Sequence, residues 1–300
     1  MDRLAAMRTF VEIVDRGSLT AAAEALDLSQ PAVVRKLAAL EKHLGAMLLR
    51  RTTRRMSLTP EGREFLERSR QILADVDEAE RAVGQDDNEP RGDIRITAPL
   101  EFGRLHLAPA ITSFLWRFDR VRIDLLLLDR NVDLVDEGID LALRIGPLPD
   151  SSLIAVPVSE VRRVTVASPA LLQRTGIPQH PKTLSNLPCI RQQNIPGSET
   201  AWPFREDSKD FVVPVDGRFG CNQIAAATSA CVNGMGFGQF LSYQTQELVK
   251  KGELQIVLQD YEPLPWPVNL VYPGGRLVSS RQRALIAWLR DALPQRGAFA

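Results

Sequence analysis

The sequence predicts an α/β protein in which a small all-α N-terminal domain and a hairpin precede a long linker helix and a larger α/β region. Three observations predict this fold class. Short helical patterns fill residues 1–58, a pattern with a seven-residue repeat fills residues 59–89, and strand-like and helical segments alternate over residues 90–300. A chain of 300 residues, 44% hydrophobic and 25% charged, is long enough for several domains and too apolar for general disorder.

The first helix is predicted from apolar residues at helical spacing, which are Leu4, Met7, Val11 and Val14. Gly17 is expected to end this helix, and Ser18 to cap the second. Ser29 is expected to cap the third helix, where Pro31 is tolerated because the first turn leaves its N–H groups unpaired anyway. Three short helices therefore follow one another closely.

The third predicted helix has two different faces. Its apolar face, expected to pack inward, consists of Val33, Leu37, Leu40 and Leu44. The opposite face combines small residues with two cations, namely Pro31, Arg35, Ala38, Ala39 and Lys42. Gln30 and Arg35, near the helix start, are able to hydrogen-bond base edges. The outer face therefore favours insertion into a DNA groove.

The segment LLRRTTRRMSL predicts two short strands around a turn, so that its arginines project from a hairpin. Such a wing can place arginine in the minor groove or on phosphates and supply salt-dependent affinity. A solvated turn is the alternative for the arginines alone. The preceding helix-turn-helix pattern favours DNA binding, although the net charge of the chain is zero.

The linker helix has its own start signal, with Thr59 as N-cap, Pro60 as first residue and Glu61 favourable to the helix dipole. Its apolar residues form a narrow heptad seam that runs to about Gln85 and consists of Phe65, Ile72, Val76, Ala79 and Val83. Packing within its own domain is one interpretation. We favour a helix that dimerises, because so narrow a stripe needs a partner.

The polar segment QDDNEPRGD, broken by Pro90 and Gly92, marks the domain boundary. Beyond it, DIRITAP and IDLALRIG are strand-like, VRIDLLLL resembles a buried strand, LEFGRLHLAPAITSFLWRF is helical, and VDLVDEG resembles a short helix. The alternation predicts a mostly parallel sheet covered by helices. Further strands are expected at RRVTVASP, DFVVPVDG, GFGQF and PVNLVYP, with helices at ALLQRTG, at residues 222–232 and at SSRQRALIAWLRDAL.

The N-terminal residues resemble the signature of the LysR-type transcriptional regulators. The resemblance rests on FVEIVDRGSLTAAAEAL, SQPAV, LE..LG and LLRRTTRRMSLTPEG, in this order, over more than fifty residues. It implies a winged helix-turn-helix over residues 1–58 and an antiparallel dimerisation helix over residues 59–89. The family commonly has Ser or Thr where this chain has Val34, so operator preference is expected to differ here. Candidate DNA-binding residues are Ser29, Gln30, Pro31, Val34, Arg35, Lys42, Arg51, Thr53, Arg54 and Arg55.

The resemblance continues through ITAPLEFGRLHLAP, LVDEGIDLALRIGPLPDSSLIA and VYPGGRLVSSRQRALIAWL. It implies that residues 90–300 form an effector-binding domain like a periplasmic binding protein. Subdomain I would span residues 91–162 and 268–300, and subdomain II residues 163–267. The implied partners are an operator in double-stranded DNA, a small-molecule effector, further copies of the chain as a homodimer or a tetramer, and RNA polymerase in the case of an activator.

Ligands of open α/β sheets bind at the carboxyl ends of strands, where the next helix presents free N–H groups. Candidate effector-binding residues are therefore Thr97, Pro99, Leu100, Glu101, Phe102, Gly146, Pro147, Gln193, Asn222 and Phe237, although turn and cap chemistry can also explain most of them. Asn222 is expected to cap the following helix. Glu101 replaces the small hydroxyl residue common in relatives, and disfavours an anionic effector unless a cation such as Arg191 offsets it.

The sequence also bears on two other functional classes, an enzyme and a redox sensor. The sequence has only His43, His106 and His180 and no nucleophile, metal or phosphate-loop motif, which argues against an enzyme, a metal site or a cofactor. The alternative function is a thiol-based redox sensor using Cys189, which lies near Arg191. The N-terminus contains no secretory signal and no apolar run long enough for a membrane span, so a cytoplasmic location is expected.

Overall fold

The computed structural model describes residues 1–51, 56–83, 89–130, 132–148, 152–192, 200–274 and 278–295. The chain forms two compact units, Met1–Asn88 and Glu89–Ala300. The elements of the first unit are α1 (Arg3–Arg16), α2 (Leu19–Ala25), α3 (Gln30–Leu44), β1 (Leu49–Arg51), β2 (Met56–Leu58) and α4 (Pro60–Val83).

The helix ends of the first unit follow the local sequence signals. Gly17 ends α1 in the left-handed conformation at φ 67°, a backbone geometry that glycine adopts without steric cost. The Ser18 hydroxyl caps α2 by accepting a hydrogen bond from the Ala21 N–H at 3.2 Å. Ser29 occupies the N-cap position of α3, but its side chain makes no cap hydrogen bond. The predicted end of α1 and the predicted start of α2 are confirmed, whereas the capping role of the Ser29 side chain is wrong.

The core of the first unit differs in part from the predicted stripes. Three of the four predicted inward residues of α3, namely Val33, Leu37 and Leu40, are buried, but Leu44 is 39% exposed. Leu44 is the last residue of α3, and the chain turns away at the following glycine. In α1 the fully buried face consists of Ala6, Thr9, Phe10 and Ile13. Helix α1 has apolar residues on two adjoining faces. The face that packs more densely against the neighbouring helices is the buried one.

Helix α4 has two apolar stripes. Leu66 and Leu73 are buried, together with Ser69, and Leu66 belongs to the core of the first unit. Phe65, from the predicted seam, packs with its ring centroid 5.8 Å from that of Phe10. Ile72, also from the seam, is 40% exposed. The helix therefore packs on its own unit along one stripe while the seam stays partly uncovered.

The second unit begins with a five-stranded sheet in the order β4-β3-β5-β14-β6. Its strands are β3 (Gly92–Ala98), β4 (Val121–Leu127), β5 (Leu141–Ile145), β6 (Leu153–Val161) and β14 (Trp266–Pro273). Helix α5 (Leu100–Phe102), a π-helical turn (Gly103–Leu107) and α6 (Ala108–Arg117) form one continuous helical segment after β3. Helix α10 (Ser280–Gln295) packs on the same layer.

The rest of the second unit contains three smaller sheets. Their strands are β7 (Arg163–Ala167), β8 (Pro188–Gln192), β9 (Ala201–Glu206), β10 (Lys209–Pro214), β11 (Asp216–Cys221), β12 (Gly238–Leu241) and β13 (Gln255–Val257). The sheet order is β12-β7-β13, with β11 parallel to β8 and β10 antiparallel to β9. The helices are α7 (Pro169–Thr175), α8 (Ile224–Val232) and α9 (Ser242–Lys250), with 3₁₀ turns at Pro181–Asn186 and Gln259–Tyr261.

Several predictions about the second unit are wrong, and three of them concern its main sheet and the segment after β4. The five-stranded sheet is mixed, because β3 runs parallel to β4 and β5 whereas β14 runs antiparallel to β5 and β6. The strand predicted as buried, β4, is an edge strand whose residues are mostly half-exposed or exposed. The predicted helix at VDLVDEG is a turn, which ends at Gly138 with φ 63°.

The chain passes between the five-stranded and three-stranded sheets at two neighbouring places. The first passage runs from Val161 to Arg163, and the second from the Gln259–Tyr261 turn to Trp266. We call residues 161–163 and 262–266 together the junction. The Arg162 guanidinium donates two hydrogen bonds, each 2.9 Å long, to the two carboxylate oxygens of Glu262. This bidentate pair holds the two passages together.

Candidate DNA interface and effector site

Helix α3 presents a polar face to solvent. Its exposed residues include Gln30, Pro31, Arg35 and Lys42, whereas Val34 is half-buried. The preceding Ser29 is exposed, and no cap hydrogen bond occupies its hydroxyl. The core residues lie on the opposite side of the helix. Packing therefore fixes which face of α3 remains available to a partner, and that face carries cations and hydrogen-bond donors.

A partly buried pair of hydrogen bonds connects α3 to the wing. The Glu41 carboxylate accepts hydrogen bonds from the backbone N–H groups of Leu48 and Leu49, at 2.8 and 3.2 Å. Between them, Gly45 ends α3 in the left-handed conformation at φ 67°. Hydrogen bonds to a carboxylate are stronger than neutral ones. Glu41 therefore sets the direction in which the chain leaves α3 and enters β1.

The start of α4 contacts the same segment. The Thr59 hydroxyl donates to the Met47 carbonyl at 2.6 Å and accepts from the Gly62 N–H at 2.9 Å, which confirms Thr59 as N-cap. A Cβ atom at Gly62 would lie 2.0 Å from the Leu48 carbonyl oxygen. Glycine is thus required at this position for α4 to approach the segment before the wing.

The wing is an antiparallel pair in which Leu49 faces Leu58 and Arg50 faces Ser57. Arg50 is exposed. Of the predicted wing residues, Arg51 is placed by its backbone in β1, and its side chain lies outside the described part of the chain. Thr53, Arg54 and Arg55 lie outside the described residues altogether. The hairpin itself is the one that the sequence predicts.

The predicted effector residues after β3 have defined local roles. The Thr97 side chain is buried and donates a hydrogen bond to the Leu126 carbonyl at 2.9 Å. Half-buried Pro99 precedes α5, and the Leu100 N–H donates to the Asp129 carboxylate at 3.0 Å. Thr97 therefore joins the adjacent strands β3 and β4. The Asp129 carboxylate already accepts a hydrogen bond from one of the free N–H groups at the start of α5.

Glu101 adds a second carboxylate at this helix start. It is 7% exposed, and its carboxylate pairs with the Arg104 guanidinium at 2.8 Å. The cation that offsets Glu101 is thus Arg104 and not Arg191, whose Nε donates to the Gly217 carbonyl at 3.0 Å. The sequence correctly identified Glu101 as an unusual charge, but Arg191 was the wrong cation to name as its partner. Arg104 lies one helical turn from Glu101 and pairs with it instead.

Aromatic residues pack beneath this segment. Phe102 is fully buried, and its ring centroid lies 5.2 Å from that of His106 and 5.1 Å from that of Tyr243. Burial lowers the pKa of His106 and raises the pKa of the Tyr243 hydroxyl, because it disfavours the charged form of each group. Tyr243 belongs to α9, so this cluster joins the helix after β3 to the helix after β12.

The carboxyl end of β5 lies beside the junction. The Gly146 N–H donates to the Pro267 carbonyl at 2.9 Å. Gly146 has φ 106°, and a Cβ atom there would lie 3.2 Å from the Trp266 ring. Pro147 is exposed. Gly146 is therefore required both for its backbone conformation and for close approach to Trp266.

The remaining predicted effector residues lie in the second half of the unit. Asn222 is exposed, but the N-cap of α8 is Gln223, so its predicted capping role is wrong. Phe237 is fully buried in a core that includes Leu184 and Trp202. Gln193 lies outside the described residues. The sequence did not single out three structurally important residues, Glu41, Gly62 and Arg163. Arg163 could have been identified because a cation begins the otherwise apolar strand RVTVA.

Two of the three cysteines are buried thiols of low reactivity. All three cysteines are free, and Cys189 and Cys231 are buried. Burial raises the pKa of Cys189 to about 12 and that of Cys231 to about 12. The Cys189 thiol donates to backbone carbonyls of Leu184 and Leu187. A buried thiol with a raised pKa is a poor nucleophile.

Two absences hold for the described residues. No helix there is sufficiently long and hydrophobic to cross a bilayer. The described histidine, cysteine, aspartate and glutamate side chains form no group of three or more that could hold a metal ion.

The comparisons agree with this architecture. The family model for bacterial regulatory helix-turn-helix proteins of the lysR family matches residues 4–63, and that for the LysR substrate binding domain matches residues 87–294. An HTH-type transcriptional regulator of Xanthomonas campestris pv. campestris is 35% identical, covering 93% of this chain and 82% of the relative. An HTH-type transcriptional repressor of Pseudomonas aeruginosa is 34% identical, with coverages of 97% and 92%.

A solved structure shows the same fold. The structure of CrgA, a LysR-type transcriptional regulator from Neisseria meningitidis, has a TM-score of 0.62 and 28% identity, and the match covers 96% of this chain and 98% of CrgA. The fold and these matches define a DNA-binding transcriptional regulator with a separate effector-binding domain. The chain belongs to the LysR family of transcriptional regulators.

Proposed function

We propose that the chain acts as a homodimer whose two winged helix-turn-helix heads bind a partly palindromic operator, and that a small molecule in the second unit modulates this binding. The observation that carries the proposal is the exposed face of α3, with Gln30, Arg35 and Lys42 opposite a buried apolar face. Binding of the effector would change operator affinity through a coupling free energy between the two sites. The domain ranges are proposed as 1–58, 59–89 and 90–300.

The seam of α4 is the proposed dimer contact. Ile72 is 40% exposed although the neighbouring Leu73 is buried within the unit, so an apolar stripe remains for a partner. We expect Ile72→Asp to weaken dimerisation by at least about tenfold, since each buried side chain of this size contributes roughly 1.5–3 kcal/mol. Sedimentation velocity over a concentration series measures the change. Glu67→Gln, an exposed change on the same helix, is the control and leaves the dimer intact.

A truncated chain tests the same helix. A fragment ending at Gly84 is expected to remain dimeric and to lose the effector response, because α4 belongs to the first compact unit. A fragment that sediments as a monomer would show that the dimer contact lies elsewhere.

For the effector we propose binding between two subdomains, 91–162 with 268–300 and 163–267, at the carboxyl ends of β3 and β5. The proposed residues at this edge are Thr97, Pro99, Leu100, Glu101, Gly146 and Pro147, and the set also includes Phe102 and Phe237, which are buried in two separate cores. Gln193 and Asn222 complete the proposed set. A thermal-shift screen of small acids, aromatics and amines tests the proposal; a stabilising compound that leaves operator affinity unchanged would contradict it.

The remaining partners are proposed from family membership. The protein is expected in the cytoplasm, as a dimer that can assemble into a tetramer, with RNA polymerase as a further partner if it activates transcription. Footprinting of bound genomic sites would identify the target genes, and the position of these sites relative to the promoters would separate activation from repression.

Redox sensing through Cys189 is the less favoured alternative. Burial raises the pKa of Cys189 to about 12, so the thiol stays protonated at neutral pH and is a poor nucleophile. We expect N-ethylmaleimide to modify half-exposed Cys221 first in the native protein, and mild peroxide to leave the mass of Cys189 peptides unchanged. Peptide mass mapping at several times measures both, with urea-unfolded protein as control. Labelling of Cys189 as fast as Cys221 would revive the alternative.

A further inference from the structure

The junction contains a buried guanidinium that forms no ion pair among the described residues. Arg163 is 6% exposed, and its Nη2 atom has no hydrogen-bond partner within that part of the chain. Burial lowers the pKa of Arg163 to about 10, so the side chain remains a cation at neutral pH. A buried cation without a counter-ion is costly, because the charge has lost hydration and gained no carboxylate in its place. The packing of the junction therefore carries a cost at Arg163.

The ring that covers Arg163 belongs to the other half of the unit. The Arg163 guanidinium carbon lies 4.0 Å from the centroid of the Trp266 ring. Arg163 begins β7 in the three-stranded sheet, whereas Trp266 begins β14 in the five-stranded sheet. An aromatic ring attracts a cation, but it offers Nη2 no hydrogen-bond acceptor. The cost of burying the unpaired cation therefore exceeds the gain from the ring.

The preceding arginine makes the opposite kind of contact. Arg162 donates to both carboxylate oxygens of Glu262, and its side chain is 42% exposed while that of Glu262 is 15% exposed. Arg162 thus keeps part of its hydration and also gains a bidentate carboxylate partner. The pair favours the arrangement in which residues 162 and 262 meet. Two consecutive arginines therefore act in opposite directions on one junction.

The two passages of the junction leave the backbone little freedom. The first consists of one residue, Arg162, between β6 and β7. The second continues into β14 with the sequence EPLPWP, in which residues 263, 265 and 267 are prolines. Each proline ring fixes the φ angle of its residue. A change in how the two halves are held must therefore break or form the contacts of the two arginines.

The ring over Arg163 also contacts the edge proposed for the effector. A Cβ atom at Gly146, at the carboxyl end of β5, would lie 3.2 Å from the Trp266 ring. The Gly146 N–H donates to the carbonyl of the next residue, Pro267, at 2.9 Å. A displacement of Gly146 would therefore move Trp266, and with it the cover over the Arg163 guanidinium.

We propose that Arg162 and Arg163 form an opposed pair which keeps the junction close to balance: the Arg162–Glu262 ion pair holds the two halves as they are, and the buried Arg163 cation favours their separation. Separation at Trp266 returns the Arg163 guanidinium to water. A ligand then needs only a small difference in affinity between the two arrangements to shift their populations. This last step rests on the proposed function of the second unit.

The test compares Arg163→Met with Glu262→Gln in the full-length protein. All four tryptophans lie in the second unit, so tryptophan fluorescence follows the thermal unfolding of that unit alone. Methionine keeps an unbranched apolar chain against Trp266 and removes the buried charge. We expect Arg163→Met to raise the midpoint by about 2–4 °C and Glu262→Gln to lower it by a similar amount.

Hydrogen exchange measures the junction itself. We expect peptides that contain residues 161–163 and 262–266 to exchange several-fold more slowly in Arg163→Met and several-fold faster in Glu262→Gln, because local opening sets the exchange rate. Arg122→Met is the matched control, since it removes an exposed cation from the edge strand β4. This variant should leave both the midpoint and the exchange of the junction peptides unchanged.

A purely structural role for Arg163 predicts the opposite sign. If Arg163→Met lowers the midpoint or speeds exchange at the junction, as Glu262→Gln does, the opposed pair is overturned, and an unchanged midpoint overturns it as well. If Arg163→Met does not fold, as judged by circular dichroism, Arg163→Leu decides, and failure or loss of stability in both variants also overturns the proposal.

Operator affinity is measured in parallel on the same proteins. We expect Arg163→Met and Glu262→Gln to shift it in opposite directions, because they bias the junction in opposite directions. Opposite shifts in midpoint and exchange with equal operator affinity would establish the opposed pair and contradict the proposed coupling between the second unit and DNA binding. The two failures are therefore distinguishable.

Discussion

Replacing Gly62 with alanine is expected to destabilise the DNA-binding unit by about 2 kcal/mol, the upper overpacking cost less the gain in helix propensity, and to weaken operator binding. In an exposed helix this substitution would stabilise by roughly 1 kcal/mol, because glycine is a poor helix former. Here the new Cβ atom would lie 2.0 Å from the Leu48 carbonyl oxygen. That atom is backbone and cannot rotate away, so α4 or the segment before the wing must shift. Overpacking costs of this kind run to about 1–3 kcal/mol and sometimes more, which exceeds the gain in helix propensity.

Urea unfolding of the first unit, followed by helical circular dichroism, measures the stability change. The control is Glu67→Ala on the exposed side of the same helix, which should change stability by less than about 0.5 kcal/mol. A gel shift then reports whether the displaced wing affects DNA binding. A Gly62→Ala protein as stable as the wild type would mean that α4 does not approach Leu48 this closely.

Replacing Arg35 with alanine is expected to weaken specific operator binding by about 1–3 kcal/mol, or roughly 5- to 150-fold, and to relax the preference for one base. Arg35 is exposed on the outer face of α3, near its start, where recognition helices contact base edges. Fluorescence anisotropy with the operator and with single-base variants measures both effects. Arg68→Ala, on α4 and paired with Glu64, is the control for loss of one surface cation.

The wing is expected to behave differently. Arg54→Ala should reduce affinity for specific and nonspecific DNA about equally and lower the salt slope by about one, as expected for a phosphate contact. If neither Arg35→Ala nor Arg54→Ala changes operator binding, then α3 and the wing are not the DNA interface.

Local signals in the sequence predicted most of the first unit. The end of α1, the start of α2 and the start of α4 depend on Gly17, Ser18 and Thr59 respectively, whose effects act within one helical turn. The outer face of α3 also followed from helical spacing alone. Leu44 was misassigned because periodicity gives the face of a helix but not how far its neighbours cover it.

The sequence predicted less of the fold of the effector-binding unit, because more of it depends on tertiary contacts. The sequence predicted β3, β4, β5, β7, β10, β12 and β14 but not β6, β8, β9, β11, β13 or α9. Strand direction, the edge position of β4 and the antiparallel place of β14 arise from pairings between distant residues. The sequence identified Glu101 as a charge in an unusual place, and only the fold showed Arg104 as its partner.

The sequence by itself determined the family, the helices of the first unit, the hairpin and the face that α3 exposes, because spacing and capping act over a few residues. The tertiary structure decided which glycine permits backbone approach, which charges are paired and which are buried alone. Gly62 against Leu48 and Arg163 against Trp266 are contacts between separate elements. No local pattern specifies them, since burial and charge pairing are properties of the packed chain.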